Sequence, residues 1–389
     1  MDADIVVAGA GPVGTTFAAL VAGDAEVIVL EEHQRIGRPV QCTGLVAPRV
    51  VELADAESVV ISRLRSVTFH LPGGGTIDLH GDGLKAVVVD RARFDELCAE
   101  RAIRKGARIV TGERLVDFKV REDSVDVHSH RSTIEKLIKA KLVVGADGYR
   151  STVASAADIK GSRSYVRGLQ MDVEKRLDDQ ERVHVFVGQK VAPGFFAWEI
   201  PCGDFTRVGV CVSTGHAAPS TYLKRLLSRL DLKEEKVVSS ASGIIPIGPP
   251  SRTYADRVMI VGDAAGQAKP LSGGGIYTGM VAARCAAETA TEALDDGKFR
   301  ASDLSTYQAR WKKEIGKELE RGWVLRRAYL SLSDEKLDEI GGILSKPKVL
   351  NLLSDGDIDF PSSLAPKVVK AAPSLLKFAP QFIRSVVWH

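Results

Sequence analysis

The sequence is short of several things, and each shortage closes off a class of protein. Its 389 residues contain no apolar run of about 18 or more, so no membrane-spanning helix is expected. Five cysteines, an odd number at irregular spacing, do not make a disulfide framework and point to a reducing cytoplasm. A net charge of +3 is too small to argue for nucleic-acid binding. The first strand pattern begins almost at Met1, which leaves no room for a signal peptide. No internal repeat is visible. His128 and His130 would share one strand face without a third ligand candidate nearby, so they read as solvent-facing, and no metal is expected. What remains is an ordinary globular composition, 44% hydrophobic and 26% charged, on a chain long enough for two or more domains.

What is present is concentrated at the start. Ile5-Val6-Val7-Ala8 reads as a strand, Gly9-Ala10-Gly11-Pro12-Val13-Gly14 as a turn into an apolar helix, and Val27-Ile28-Val29-Leu30 as a second strand running into Glu31 and Glu32. This is the dinucleotide fingerprint in its required context of strand, glycine turn, helix, strand and acid. Gly9 permits the tight turn, Gly11 lets the backbone approach a pyrophosphate, and Gly14 lets the helix pack on the strand. The helix N-terminus offers free N–H groups to phosphates. Glu31 can accept hydrogen bonds from both hydroxyls of an adenosine ribose and would repel a 2′-phosphate. The bland alternative is a tight turn that binds nothing.

Further along, two strand types interleave. Residues 64 to 80 alternate through a Gly73-Gly74-Gly75 turn, which predicts an antiparallel hairpin. Val87-Val88-Val89 reads as a parallel strand, after which Asp90-Arg91 opens a helix through Phe94 and Asp95. Residues 115–120 and 125–130 form a meander. Leu142-Val143-Val144 ends in Gly145-Ala146-Asp147-Gly148, and Val258-Met259-Ile260-Val261 ends in Gly262-Asp263. Strands near 183–187, 195–200 and 208–212 precede an amphipathic helix over 222–230 that covers one face of their sheet. A long helix of small residues over 276–294 follows Gly273-Gly274-Gly275, and the remainder is helical and broken by prolines. The strands near 5, 28, 88, 109, 143 and 259 are expected to build one parallel sheet. The pieces at 65–84 and 160–250 build an antiparallel one.

Three motifs stand in order: Gly9–Gly14 with Glu31, Gly145-Ala146-Asp147-Gly148, and Gly262-Asp263, with Asp90-Arg91 between the first two. Together they resemble the FAD-dependent oxidoreductases of the para-hydroxybenzoate hydroxylase-like superfamily. Within it, Pro193-Gly194-Phe195-Phe196-Ala197-Trp198-Glu199-Ile200-Pro201 resembles the strand motif of geranylgeranyl reductases. Val40-Gln41-Cys42-Thr43-Gly44 resembles their cysteine loop, and Pro270 to Gly275 their loop after Gly-Asp. The similarity spans about residues 1 to 340. A Phe stands where the family often has Tyr, and Thr43 follows Cys42 where a Gly-Glu pair is common.

The resemblance implies an α/β fold: an FAD-binding Rossmann-like parallel-sheet domain, a second antiparallel-sheet substrate domain and a helical C-terminal region. The implied boundaries are 1–64, 85–159 and 251–300 for the FAD domain, 65–84 and 160–250 for the substrate domain, and 301–389 for the helical region. It implies FAD as cofactor, with Asp263 on the flavin ribitol, Arg91 contacting the FAD and Asp147 with Gly148 bracing the pyrophosphate region. Gly274 and Gly275 would bring the next helix N-terminus to the flavin, where its dipole can stabilise the reduced ring. The implied activity is saturation of isoprenoid double bonds in lipid biosynthesis. Hydride would leave the reduced flavin N5, and a proton would arrive at the other carbon.

Phe196, Trp198, Ile200 and Gly274 would line the substrate pocket, with Phe195 opposite by strand alternation. Trp198 is alternatively a plain core aromatic. Cys42 is a proton donor or a gate, or else a small buried hydrophobe. An aromatic monooxygenase or a flavin halogenase of the same fold is the competing enzyme. Phe196 weighs against the halogenase, whose signature has Trp there. A flavin-holding electron-transfer protein is the alternative outside enzymes. The electron donor is NAD(P)H or ferredoxin, since no second nucleotide fingerprint appears. Residues 360–389 carry Lys367, Lys370, Lys377 and Arg384 and no acid. That composition suits peripheral contact with the inner face of a membrane. A lid or a subunit contact are the other readings of this tail.

Overall fold

A computed structural model describes residues 2–379. Its first sheet has six strands in the order Tyr254–Ala255, Val258–Ile260, Leu142–Gly145, Ile5–Ala8, Val27–Glu31 and Arg108–Thr111. All neighbours are parallel except the first pair. Alternate residues of Ile5–Ala8 enter different cores. Ile5 and Val7 pack with Phe17, Ala18 and the helix Ile276–Asp296. Val6 and Ala8 pack with Leu115, Phe118, Val125 and Val127 of a three-stranded antiparallel sheet. Burial on both faces is why these strands read as unbroken apolar runs.

The turn after the first strand is set by two glycines. Gly9 has φ +99°, and a Cβ there would lie 2.4 Å from the Ala146 carbonyl oxygen. A Cβ on Gly14 would lie 2.1 Å from the Gly9 carbonyl oxygen, so the helix Pro12–Val21 rests directly on the turn.

The second large sheet has seven strands in the order Val237–Ile247, Ser164–Val173, Phe205–Ser213, Phe196–Cys202, Arg182–Val187, Ser66–His70 and Thr76–His80. The predicted hairpin over 64–80 forms its edge, and Ser66–His70 joins Arg182–Val187 in parallel. One face packs Val173, Phe186, Ala197, Val208, Val210 and Val212 under Tyr222, Leu223 and Leu226 of the helix Pro219–Arg229. The amphipathic helix thus covers that face as expected.

One strand departs from expectation. Ala86–Val89 lies between Leu45–Val46 and Val60–Leu64 in an antiparallel three-stranded sheet, not in the parallel one. Val87 and Val89 enter one core and Ala86 and Val88 another. Its apolar run reports two-sided burial, which does not fix strand direction. The strand Ile134–Ala140, mostly exposed, escaped the sequence reading for the opposite reason.

The chain then runs through helices Ala301–Trp311, Lys317–Leu330, Asp334–Leu344, Pro347–Ser354 and Ala365–Ala371. Pro366 and Pro373 each open a short turn of helix, as their spacing predicts. Pro380, Phe382, Ile383, Arg384, Val386, Val387 and Trp388 of the proposed membrane-contact tail lie outside the described residues.

Gly14→Ala should lower the stability of the ligand-free protein by roughly 1–3 kcal/mol through overpacking. Gly11→Ala should leave it nearly unchanged, because a Cβ there meets nothing within 4 Å. Denaturant midpoints of the two variants check this, and equal losses would contradict the packing account.

Candidate functional site

A cavity of about 1170 Å³ separates the parallel sheet from the inner face of the seven-stranded sheet and the C-terminal helices. Ordinary small-molecule pockets span roughly 300–1,000 Å³, so there is room for more than one ligand. Gly9, Gly11, Glu31, Glu32, Cys42, Arg91, Asp147, Gly148, Phe196, Trp198, Asp263, Gly274 and Gly275 all line it. Gly14 does not; it packs behind the turn.

At the fingerprint end, Gly11 and Gly148 leave open space where a side chain would stand. Glu31 is buried, and its Oε2 accepts the Ala10 N–H at 2.9 Å. Its Oε1 accepts the His33 N–H and lies 2.7 Å from His33 Nδ1. The carboxylate therefore braces the glycine turn and keeps lone pairs for a ligand, since an ionised carboxylate offers about four acceptor positions. Glu32 is exposed, 3.7 Å from Arg114. Asp147 accepts from Ser151 Oγ at 2.6 Å and from the Val153 N–H at 3.1 Å. It secures the start of the helix Thr152–Ala156, so its influence on a ligand passes through the Gly148 backbone.

Arg91 occupies the centre. Its Nη2 donates to both oxygens of Asp95, at 2.7 and 2.9 Å, one helical turn away. Burial opposes the Arg91 charge, but Asp95 and Cys42 outweigh it and hold the guanidinium above its ordinary pKa. Cys42 is half-buried and faces the cavity, whereas the other four cysteines are buried. Burial pushes the thiols of Cys98, Cys202, Cys211 and Cys285 up to about 12. The Cys42 loop is held from the antiparallel sheet. Gln170 Nε2 donates to the Cys42 carbonyl at 3.1 Å, and Arg207 donates to the Thr43 carbonyl. Arg207 is itself fixed by Asp172, at 2.7 and 3.0 Å, its direct cross-strand neighbour.

Asp263 stands at the end of the strand Val258–Ile260, beside the N-terminus of the helix Ile276–Asp296. A Cβ on Gly275 would lie 2.9 Å from its carboxylate. Burial pushes its pKa up to about 6, with Arg91 pulling the other way. No described side chain or backbone N–H donates a hydrogen bond to it, so its oxygens are free for the hydroxyls of a ligand. The loop before the helix is clamped from the far end of the chain. Lys269 Nζ donates to Asp359 Oδ1 at 2.6 Å and to the Ile358 carbonyl at 2.9 Å, and both side chains are buried. Arg49 pairs with Asp357 at 2.5 Å, tying down the same strap. Residues 353–364 contribute Leu353, Ser354, Gly356, Asp357, Ile358, Pro361 and Leu364 to the cavity wall.

The other end is apolar. Val183, Val185, Phe196, Trp198, Ile200 and Ile245 line it. Phe195 is not opposite Phe196, contrary to the alternation argument: the two rings stack at 4.5 Å, and both line the cavity. The strand begins only at Phe196, and Gly194 at φ +74° turns the chain just before it, so the period of two does not reach Phe195. Trp198 is both core and wall. Sequence reasoning missed Arg207, Asp172, Gln170, Lys269 and Asp359. For Arg207 a signal existed: it is the lone charge inside an apolar strand.

The open glycines, the unpartnered Asp263 and the helix start at Gly275 fit an FAD. The raised Asp263 value means that the empty folded site binds a proton more tightly than the unfolded chain does. This group's contribution to stability therefore falls as pH rises from about 4 through about 6. Hydroxyl donors from a ligand favour the ionised form, so binding should release a proton in that window. FAD affinity should then weaken by up to about tenfold per unit as pH drops below 6, and Asp263→Asn should flatten the profile. Fluorescence titration of FAD at pH 5, 6 and 7 checks it.

Comparison with known proteins agrees with this arrangement. The family model described as tryptophan halogenase matches residues 84–320. The chain is 30% identical to digeranylgeranylglycerophospholipid reductase 2 of Methanopyrus kandleri, over 99% of this chain and 100% of that one. It is 33% identical to the digeranylgeranylglycerophospholipid reductase of Methanothrix thermoacetophila, over 87% and 90% of the two chains. Among solved structures, a geranylgeranyl bacteriochlorophyll reductase-like protein from Thermoplasma acidophilum shares the fold, with a TM-score of 0.86 at 23% identity over 97% and 99% of the two chains. The glycine turn, the Asp147 and Asp263 motifs and the cysteine loop thus sit in a chain that matches these reductases nearly end to end, and it belongs to the digeranylgeranylglycerophospholipid reductase family of FAD-dependent oxidoreductases.

Proposed function

We propose that this protein saturates the C=C bonds of geranylgeranyl chains, in precursors of archaeal-type membrane lipids. The observation that carries the reading is the continuity of one cavity. The apolar wall of Val183, Val185, Phe196, Trp198 and Ile200 runs into the Gly273–Gly275 loop beside Asp263. An aliphatic chain lying along that wall meets the cofactor's place, which favours this reading over an aromatic monooxygenase. Phe196, in place of the halogenase tryptophan, separates it from halogenation.

Each part of the chain has its task. Gly11, Glu31 and Gly148 would hold the dinucleotide, Arg91 would lie beside it, and Asp263 would accept from the ribitol hydroxyls. FAD, when bound and reduced, supplies the hydride. The N-terminus of the helix after Gly275 favours negative charge at that place. An isolated alkene is unactivated, so a proton has to reach its other carbon as the hydride arrives. Cys42 Sγ is the group assigned to hold that proton, in a loop fixed by Gln170 and Arg207. The apolar wall keeps water from the reacting carbons. A reductant of the NAD(P)H or ferredoxin class reloads the cofactor.

The lipid is reached at a membrane surface. No helix of the described residues is long and apolar enough to cross a membrane. Lys367, Val369, Lys370 and Leu376 are exposed on the C-terminal helical turns, while Val368, Ala372 and Phe378 anchor those turns on Ile343 and Val349. Basic and apolar side chains together suit an anionic interface.

Two outcomes test the reading. With dithionite-reduced enzyme under anaerobic conditions, geranylgeranyl lipids should gain two mass units per bond reduced. Cys42→Ala should slow that reduction by about 10²–10⁴-fold, the usual range for a lost acid catalyst, with FAD content unchanged. Full activity in the variant would remove the proton-transfer role. Lys367→Glu with Lys370→Glu should abolish salt-sensitive sedimentation with anionic vesicles. Unchanged binding would move the membrane contact elsewhere.

A further inference from the structure

The Asp263 carboxylate accepts no hydrogen bond from a described residue; burial and the Arg91 charge are what act on it. Its aim is therefore set by the backbone of the turn Gly262–Ala265. That turn is held from behind by a chain of hydrogen bonds. The Gly262 N–H donates to Gln267 Oε1 at 2.7 Å, and the Gln267 N–H donates back to the Gly262 carbonyl at 3.1 Å. Gln267 thus closes the turn with both its side chain and its backbone. The other end of the same amide, Nε2, donates to the Tyr307 hydroxyl at 3.1 Å, and that hydroxyl donates to the Ile260 carbonyl at 2.7 Å. Gln267 and Tyr307 are both 0% exposed. Burial pushes the Tyr307 hydroxyl well above its ordinary pKa, so it stays a neutral donor.

Tyr307 comes from the helix Ala301–Trp311, and two more side chains of that helix grip the same strand end. Gln308 Oε1 accepts the Thr253 N–H at 3.0 Å, and Trp311 Nε1 donates to Thr253 Oγ1 at 3.1 Å. The Thr253 carbonyl in turn accepts the Ile260 N–H at 3.0 Å. Ile260 is therefore held through both its N–H and its carbonyl. A helix packed on a sheet needs none of these bonds. Leu304 of the same helix supplies apolar contact in the same core, and a phenylalanine would fill the place of the Tyr307 ring. Polar groups so deep are costly unless each is paired. Here each is paired, and the chain ends on the turn that carries Asp263.

We infer that Gln267 and Tyr307 are positioning residues for Asp263, setting its carboxylate where it accepts from the cofactor. Neither of them lines the cavity, so they act through the turn alone. This rests on the FAD placement proposed above and extends it to a pair of residues behind the site. A binding group with no bond of its own has to be held by the structure that carries it.

The test follows FAD dissociation on serial dilution of full-length holoenzyme, in wild type, Asp263→Asn, Tyr307→Phe and the double variant. Asp263→Asn should weaken FAD by about 10–100-fold, the scale of a hydrogen bond to a charged group. Tyr307→Phe should cause a loss of the same order and flatten the pH profile of FAD affinity as Asp263→Asn does. In the double variant the two losses should not add, because both pass through one carboxylate. Leu304→Ala, buried on the same helix, is the control: it should lower the thermal midpoint and leave FAD affinity unchanged. A merely structural tyrosine predicts the pattern of that control, a lower midpoint with wild-type affinity and pH profile, and this result overturns the inference. Additive losses overturn it too, since Tyr307 would then act by another route. Where Tyr307→Phe does not fold, Gln267→Met, which cuts the chain at its middle, is measured instead with the same expectations. Failure of both to fold assigns the chain to stability and overturns the inference. Unchanged affinity in Asp263→Asn overturns the cofactor placement itself, whereas a loss there without one in Tyr307→Phe overturns only the positioning role.

Discussion

A guanidinium taken out of water has to be answered, and the answer given to Arg91 shapes the whole site. Asp95 meets it with both oxygens from one helical turn away. Leaving such a buried charge alone costs about 3–5 kcal/mol, so the pair is fixed wherever the helix goes. With its position set, Arg91 presents the same charge to the Cys42 sulfur on one side and to the Asp263 carboxylate on another. Three pieces of chain far apart in sequence thereby share one cation. The glycine turn and the Asp263 strand end supply the geometry, and Arg91 supplies the charge balance around which they sit.

The cavity follows from how two sheets meet. The parallel sheet is closed on both faces by cores, so a ligand can reach only the ends of its strands. The seven-stranded sheet closes one face with the helix Pro219–Arg229 and turns the other toward those strand ends. The C-terminal strap roofs the gap, held to the loop before Gly275 by Lys269 and Asp359. One enclosure thus has a polar end made by backbone turns and an apolar end made by side chains.

What was legible in the sequence was local. Gly9 and Gly14 set the first turn and the helix packed on it, and those roles could be read from spacing. The helix over 222–230 was legible because its apolar stripe reports the face it covers. Ala86–Val89 was misplaced because an apolar run records burial and carries no direction. Phe195 was placed on the wrong side because alternation was extended one residue past the start of the strand. The partners of Arg207 and Lys269 are 35 and 90 residues away, and no periodicity spans such distances.

The parallel pairing of Ser66–His70 with Arg182–Val187 has a consequence in time. His70 and His184 touch across that seam and are 114 residues apart in the chain. At a synthesis rate of about 5–20 residues per second, the early hairpin leaves the ribosome roughly 6–23 s before its neighbour. Through that interval its apolar face, with Val67 and Phe69, and its open edge have no native cover. The seam therefore closes only after the intervening chain has been made, and the hairpin's cover arrives last.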